Sequence, residues 1–110
     1  MASSKEFKDF VIDQLRNLPN ISVRAMMGEF VLYYKGVVFG GIYDDRLLIK
    51  PTKTNTKYNL PPQIPYSGAK PMLMVENLDD ADYLETLIKD TYDGLITKQK
   101  PWKFILGFFS

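Results

Sequence analysis

Residues 33–50, YYKGVVFGGIYDDRLLIK, indicate how the chain folds, because turn-forming pairs separate their apolar runs. Lys35-Gly36 has the length of a two-residue hairpin turn, with glycine where a positive φ is needed. Asp44-Asp45 predicts a second tight turn, since aspartate tolerates the left-handed conformation. Residues 31–50 are therefore expected to form an antiparallel meander.

Gly40-Gly41 differs from these turns, because the pair lies inside a predicted strand. Paired glycines within a strand indicate a bulge or a close approach of another segment. We expect a structural role here, with the approach of a ligand or a dimer seam as the alternatives. The meander and the segment before it predict strands over residues 22–34 (interrupted near Met27-Gly28), 37–43 and 46–50.

Two helices flank these strands. Ser3 and Glu6 form a capping-box pattern, and an apolar face follows, which predicts a helix over residues 3–18. Asp79 or Asp80 begins a second helix, which Gly94 is expected to weaken or end. The apolar stripes of the two helices consist of Phe7, Phe10, Val11, Leu15 and Leu18, and of Leu84, Leu87, Ile88, Thr91 and Leu95.

The proline-rich residues 51–71 cannot hold a long helix. They allow a helical turn over 54–59 and a short edge strand over 63–66, and a further strand is predicted over 72–75. The resulting order, α-β-β-β-β-β-α, predicts an α+β fold in two layers. Its antiparallel sheet has about five strands, with the helices on one face.

The end of the chain, WKFILGFFS, residues 102–110, is almost entirely apolar. We expect residues 1–97 to form the domain and residues 98–110 to form an apolar tail. Because such a tail should not remain in water, Trp102 and its neighbours are expected to pack on the domain or on a dimer seam. Contact with a membrane interface and binding of a partner are the alternatives.

Composition excludes several classes of function. The 110 residues include no cysteine and no histidine, so we expect no disulfide, no metal site, no cofactor and no catalytic residue. Asp79, Asp80 and Asp82 are interpreted as helix caps rather than as an acid–base pair. The chain is therefore not expected to be an enzyme.

The charge and hydropathy of the chain limit its partners. A net charge of +1 gives no long-range attraction to nucleic acid, and we expect no direct contact with it. A solvated loop is favoured over a single-strand site for Lys50, Lys53, Lys57 and Lys70 with Tyr58 and Tyr66. No apolar run approaches the roughly 20 residues of a membrane span, so a cytoplasmic protein without membrane contact is expected.

The segment VRAMMGEFVLYYKGVVFGGIYDDRLLIK, residues 23–50, resembles the N-terminal domain of the TfoX/Sxy proteins, the bacterial competence regulators. IPYSGAKPMLMVENLDDADYLETLIK, residues 64–89, is similar to the rest of that domain, and the resemblance spans Lys5 to Leu95. Glu29, Phe30 and Val31 stand where the family often has more glycine. Because the family's C-terminal helical domain does not follow, a stand-alone N-terminal domain is expected. The matching positions are Arg24, Met26, Met27, Gly28, Leu32, Tyr33, Gly36, Phe39, Asp44, Asp45, Leu47 and Lys50.

The resemblance implies a secretion-chaperone-like fold, which tends to dimerise, and a transcription-linked role through protein contacts. We therefore expect a regulatory domain that forms a homodimer and binds a protein partner. The alternative is a small-ligand-binding or enzymatic cleft near Arg24, Gly28 and Tyr33, and Glu29 is a possible ion-pair partner of Arg24. The predicted interaction or ligand surface comprises Arg24, Met27, Gly28, Tyr33, Tyr34, Gly40, Gly41 and Trp102.

Overall fold

A computed structural model describes the backbone of residues 3–109 and the side chains of residues 3–97. The described residues form two α-helices, a six-stranded antiparallel sheet and one 3-10 turn, so the predicted α+β class and its order are confirmed. The elements are α1 (Lys5–Gln14), β1 (Ile21–Met26), β2 (Glu29–Tyr34), β3 (Val37–Ile42), β4 (Leu47–Ile49), the 3-10 turn (Thr56–Tyr58), β5 (Pro62–Gln63), β6 (Met72–Val75) and α2 (Ala81–Phe109).

The sixth strand arises because the predicted interruption at Met27-Gly28 is a complete hairpin turn. Met27 has φ 52° and Gly28 has φ 83°. Two successive positive φ angles reverse a chain in two residues, so Met26 pairs with Glu29. The prediction of a single interrupted strand was wrong, because a methionine at positive φ is uncommon and gives no turn signal.

The sheet has the strand order β1-β2-β3-β4-β6-β5, which places β1 and β5 at its edges. The predicted turns at Lys35-Gly36 and Asp44-Asp45 are confirmed, with φ angles of 51° and 79° and of 52° and 53°. The pairing of β2 with β3 shifts between Leu32 and Tyr33, so the chain bulges there. The bulge adjoins the glycine pair that predicted it.

One face of the sheet carries the core, and both helices pack on that face. Residues that pair across the strands share a face, so the alternation along β2 to β6 separates core from surface. The buried cluster combines Val11, Leu15 and Leu18 from α1 and its following turn, Leu32, Tyr34, Phe39, Ile42, Leu47, Ile49 and Val75 from the sheet, and Leu84, Leu87 and Ile88 from α2. No described helix covers the opposite face, which we call the helix-free face.

The N-terminal caps differ at the two helices. Ser4, not the predicted Ser3, caps α1, because its Oγ accepts a hydrogen bond from the Phe7 N–H at 3.1 Å. The helix ends at Gln14 rather than at residue 18, although Leu15 and Leu18 are buried as predicted. At α2 the prediction is confirmed, since Asp80 Oδ1 accepts from the N–H of Tyr83 at 3.1 Å.

Gly94 does not end α2, which continues to Phe109. A Cβ atom at Gly94 would collide with Thr54 Oγ1 and would lie 2.6 Å from Thr52 Cβ. The glycine therefore allows the segment before the 3-10 turn to lie directly against α2. Its purpose is close packing, which the sequence does not distinguish from a helix end.

The structural role predicted for Gly40 and Gly41 is confirmed. A Cβ at Gly40 would collide with the carbonyl oxygen of Leu48, and one at Gly41 would lie 2.6 Å from the Phe30 oxygen and 2.7 Å from the Tyr43 ring. The chain itself fills the space beside both glycines. The alternatives of an approaching ligand or a dimer seam at this pair were wrong.

The predicted packing of residues 98–110, including Trp102, lies outside the residues whose side chains are described. The backbone of α2 is helical through Phe109. Within the described range, no helix has both the length and the apolar character that a membrane span requires.

Candidate functional site

The hairpin formed by β1 and β2 presents two different faces. Ile21, Val23 and Ala25 lie on the helix side, opposite Tyr34, Leu32 and Phe30. The side chains that alternate with these along β1 and β2 project from the helix-free face. We call the side chains there, together with the turn residue, the hairpin face: Ser22, Arg24, Met26, Met27, Glu29, Val31 and Tyr33.

The hairpin face carries apolar side chains that contact water. Met27 is 97 % exposed and Met26 is 49 % exposed, while Val23 on the adjacent strand edge is 37 % exposed. Every residue from Ser22 to Gly28 is exposed. Methionine adapts to irregular partner shapes, so an exposed pair at a turn is typical of a protein-binding surface.

Arg24 and Tyr33 are brought together on this face, as the sequence predicted. With Ser22 and Val23 they line a shallow depression of about 330 Å³. No carboxylate contributes to its lining, and Gly28 lies beyond it in the turn. The depression is thus open and carries one guanidinium, which is the donor that best matches a carboxylate from another molecule.

The predicted pairing of Arg24 with Glu29 was wrong. The Glu29 carboxylate instead accepts hydrogen bonds from the Ser3 N–H at 3.0 Å, the Ser3 hydroxyl at 2.6 Å and the Asp44 N–H at 3.1 Å. Backbone donors and a hydroxyl satisfy this carboxylate without a cation. Among the side chains from 3 to 97, Arg24 belongs to none of the ion pairs.

Ser3 also fixes the tip of the hairpin. Its N–H donates to the Gly28 carbonyl at 3.1 Å, and its hydroxyl accepts from the Asp45 N–H at 3.0 Å. The Asp45 carboxylate in turn accepts from the Ser4 N–H at 2.8 Å. The start of α1 thereby ties the Met27-Gly28 turn to the turn after β3, so the exposed methionines lie on an anchored hairpin.

The other predicted surface residues lie elsewhere. Tyr34 is only 3 % exposed, and its ring packs edge-on against Tyr92 at 5.1 Å between centroids, so its assignment to a surface was wrong. Gly40 and Gly41 are buried within β3. Among the predicted residues whose side chains are described, Arg24, Met27 and Tyr33 lie on the hairpin face and Gly28 lies in its turn.

Val23 and Met26 were not part of the predicted surface. For Met26 the signal was available, because strict alternation from Ile21 assigns it to the same face of β1 as Ser22 and Arg24. The same alternation places Val23 on the helix side, so its exposure at the strand edge could not be predicted in this way. That alternation could be used only once Met27-Gly28 was known to be a turn. Without the turn, the pairing partner of β1 could not be assigned.

The far end of the helix-free face is covered by the chain itself. The rings of Tyr43 and Tyr66 lie 6.1 Å apart, and the Arg46 guanidinium donates to Gln63 Oε1 at 3.2 Å. Burial, together with the neighbouring Tyr66 and Glu29, raises the pKa of Tyr43. Leu48 in this region is fully buried. The helix-free face is therefore closed near β4 and open near β1.

Two of the three carboxylates considered for catalysis, Asp80 and Asp82, accept structural hydrogen bonds. Asp80 caps α2, and Asp82 accepts a hydrogen bond from the Asn17 side chain at 3.0 Å. Within residues 3–97, no three His, Cys, Asp or Glu side chains are grouped so that they could hold a metal ion. In the basic segment, Lys57 lies in the 3-10 turn and pairs with Asp90 at 3.2 Å.

Comparison with known proteins supports the predicted family. The model of the TfoX N-terminal domain matches residues 13–94. An uncharacterised 12.7 kDa protein from the trpE 5′ region of Spirochaeta aurantia is 32 % identical over 98 residues, which cover 86 % of this chain and 85 % of that protein. The match to the family model includes the β1–β2 hairpin.

Proposed function

Because the chain belongs to the TfoX N-terminal domain family, we propose that it acts as a regulatory domain that binds a protein partner. The observation that carries the proposal is the hairpin face, where the exposed Met26 and Met27 adjoin Arg24. These side chains combine adaptable apolar area with a cation that no described carboxylate neutralises. A partner surface with apolar side chains around one carboxylate would match both features.

The regulatory role draws its support from the family resemblance, which is to proteins that control competence through protein contacts. We propose that the partner belongs to the machinery that controls transcription, and that the domain contacts this partner rather than DNA. The net charge of +1 is consistent with that assignment, since it provides little neutralisation of phosphates. A homodimer is part of the same proposal, because β1 leaves one edge of the sheet without a neighbouring strand.

A small-ligand site is the second candidate, and the depression at Arg24 and Tyr33 is the observation in its favour. Ligand sites usually enclose most of the ligand within concave apolar walls. The depression lies on an exposed strand, and four residues line it. These features favour a contact point for a carboxylate on a partner protein over a binding pocket or an active site.

The proposal is tested by capture from the source organism, with the tagged full chain at native level. The variant Arg24→Glu reverses the charge of the hairpin face, and Lys70→Glu is its matched control, because Lys70 is exposed beside the opposite edge of the sheet. A specific partner should be lost with Arg24→Glu and retained with Lys70→Glu. The captured protein is then purified and titrated against both variants by calorimetry.

The expected result is at least a tenfold weaker affinity for Arg24→Glu, or roughly 1.4 kcal/mol, and an unchanged affinity for Lys70→Glu. Equal binding by both variants would contradict the assignment of the hairpin face. A partner with no connection to transcription would contradict the regulatory part of the proposal. Capture of no protein beyond the chain itself would favour screening metabolites against the depression at Arg24.

A further inference from the structure

The free edge of β1 has hydrogen-bonding groups that no described segment satisfies. The Met27-Gly28 turn makes Met26 and Glu29 a hydrogen-bonded pair, and the Lys35 N–H donates to the Asn20 carbonyl at 3.1 Å at the other end of the hairpin. Hydrogen-bonded and non-hydrogen-bonded pairs alternate along an antiparallel ladder. The N–H and C=O groups of Ile21, Val23 and Ala25 therefore point away from β2.

β1 lacks the devices that normally protect an edge strand. It has six residues, contains no proline and pairs with β2 without a bulge. Arg24 is its one charged residue, and that side chain projects from the sheet face rather than from the edge. An edge of this kind is a ready template for another strand.

We propose that a second copy of this chain pairs with β1, antiparallel and centred on Val23, to form a continuous twelve-stranded sheet from two six-stranded halves. This proposal rests on the homodimer included in the proposed function and names its seam. Val23 would face Val23 of the second copy, and Ile21 would face Ala25 in both directions. About six backbone hydrogen bonds form, because each of these three pairs exchanges two.

The sequence of β1 favours this register over its neighbours. A two-fold axis centred on Arg24 would place two guanidinium groups directly opposite each other, and like charges in that position are destabilising. An axis centred on Ser22 would leave Ala25 without a paired strand. Centring on Val23 places each Arg24 opposite a serine and pairs the long Ile21 with the short Ala25 on the helix side.

The symmetry of this seam also affects the proposed partner site. Antiparallel strands at one edge are related by a two-fold axis normal to the sheet, so the helices of both copies lie on the same side. The two hairpin faces then join into one surface that carries both Arg24 side chains. The dimer leaves the surface proposed for the partner accessible.

Disulfide formation tests the register directly, because the chain has no native cysteine. In the proposed register Ser22 of one copy lies opposite Arg24 of the other, in a non-hydrogen-bonded pair with Cα atoms about 4.5 Å apart, which suits a disulfide. We expect a mixture of full-length Ser22→Cys and Arg24→Cys to form a mixed dimer under mild oxidation. Each variant alone should form little or none.

Sedimentation equilibrium supplies the second measurement. The wild-type chain should have the mass of a dimer, and Val23→Pro, which removes an outward N–H, should shift it to the mass of a monomer while circular dichroism shows retained structure. A monomeric wild type would overturn the proposal, as would a disulfide formed by Arg24→Cys alone. The cysteine pair decides the outcome if Val23→Pro fails to fold.

The results also separate this inference from the proposed function. A monomeric chain that captures an Arg24-dependent partner would overturn the seam and leave the partner site in place. A dimer with the expected cysteine pairing and no such partner would support the seam and contradict the partner site.

Discussion

β1 and β5 both lie at an edge of the same sheet, yet they differ in length, sequence and surroundings. β5 has two residues and begins with Pro62, which has no N–H, and Arg46 donates to Gln63 beside it. β1 has six residues, and five of them are exposed. One edge is shortened and held by its own chain, and the other remains available to a second chain.

A network of polar side chains fixes the segment around the 3-10 turn to α2. Asn55 is fully buried, and its side chain donates to the Lys50 carbonyl and to Thr91 Oγ1, each at 2.9 Å. The Tyr58 hydroxyl donates to Asp90 at 2.5 Å. These bonds join the 3-10 turn to α2. The contrast shows that hydrogen bonds fix residues 50–60 to the core, whereas no described strand pairs with the outer edge of β1.

The substitution with the largest expected loss of stability lies in β3, in the interior of the sheet and away from both edges. Gly40→Val would drive a side chain into the backbone of Leu48 and Ile49, which cannot move without breaking the ladder. We expect a loss on the order of 3 kcal/mol in the free energy of unfolding, measured by urea denaturation. Gly36→Asn is the control, since the hairpin turn tolerates asparagine, and a comparable loss there would contradict the steric explanation.

Asn55→Ala tests the polar network that fixes the 3-10 turn to α2. The substitution leaves the Thr52 N–H and the Lys50 carbonyl without the partner that each has at 2.9 Å. Loss of these two part-buried hydrogen bonds and of the buried one to Thr91 Oγ1 should reduce the free energy of unfolding by about 2–3 kcal/mol. Asn77→Ala, at an exposed position, should change it by less than about 0.5 kcal/mol. Similar values for the two variants would show that the network contributes little.

Two proline substitutions compare an N–H group of β1 that points toward β2 with one that points away from it. Arg24→Pro removes an N–H that points toward β2, whereas Val23→Pro removes one that points outward. In dilute monomeric protein, Arg24→Pro should be less stable than Val23→Pro by about 2 kcal/mol. Thermal unfolding followed by circular dichroism gives the difference. Equal losses would contradict the assignment of inward and outward groups along this strand.

Tyr58→Phe has the smallest expected effect, about 1 kcal/mol, from loss of the hydrogen bond to Asp90. Burial and this hydrogen bond raise the pKa of Tyr58 from 10.0 to about 12. The raised pKa means that the folded state favours the neutral phenol, so its contribution is complete below pH 10 and is lost as the pH approaches 12.

The wild type should therefore lose more stability than Tyr58→Phe between pH 10 and about 12. Urea denaturation at several pH values in this interval measures the difference. Tyr43 and Tyr83 also have raised pKa values, and both proteins share their contributions. Parallel stability curves for the two proteins would rule out the assigned role of Tyr58.

Much of the fold could be predicted from local sequence. Lys35-Gly36 and Asp44-Asp45 carry turn chemistry in the residues themselves, and β6 was predicted with its observed bounds. The Met27-Gly28 turn was not predicted as a hairpin, because methionine has no turn propensity and the hydrogen bonds of Ser3 to Gly28 and Glu29 join residues that are distant in the sequence.

The candidate site could be predicted only in part, because the positions of its residues also depend on contacts between distant parts of the sequence. Arg24, Met27 and Tyr33 were identified as surface residues, yet their relative placement depends on the hairpin register. Tyr34 was misplaced because an alternating strand does not reveal which of its faces meets the helices. Glu29 was assigned to Arg24 because the distant donors on Ser3 and Asp44 cannot be deduced from local sequence.

Amide hydrogen exchange followed by NMR at a series of protein concentrations measures whether the β1 edge binds a second strand. The amides of Ile21, Val23 and Ala25 should become protected as the concentration rises, whereas those of Ser22 and Arg24 should be protected throughout. Outward amides that exchange at an unprotected rate at every concentration would contradict the proposed pairing.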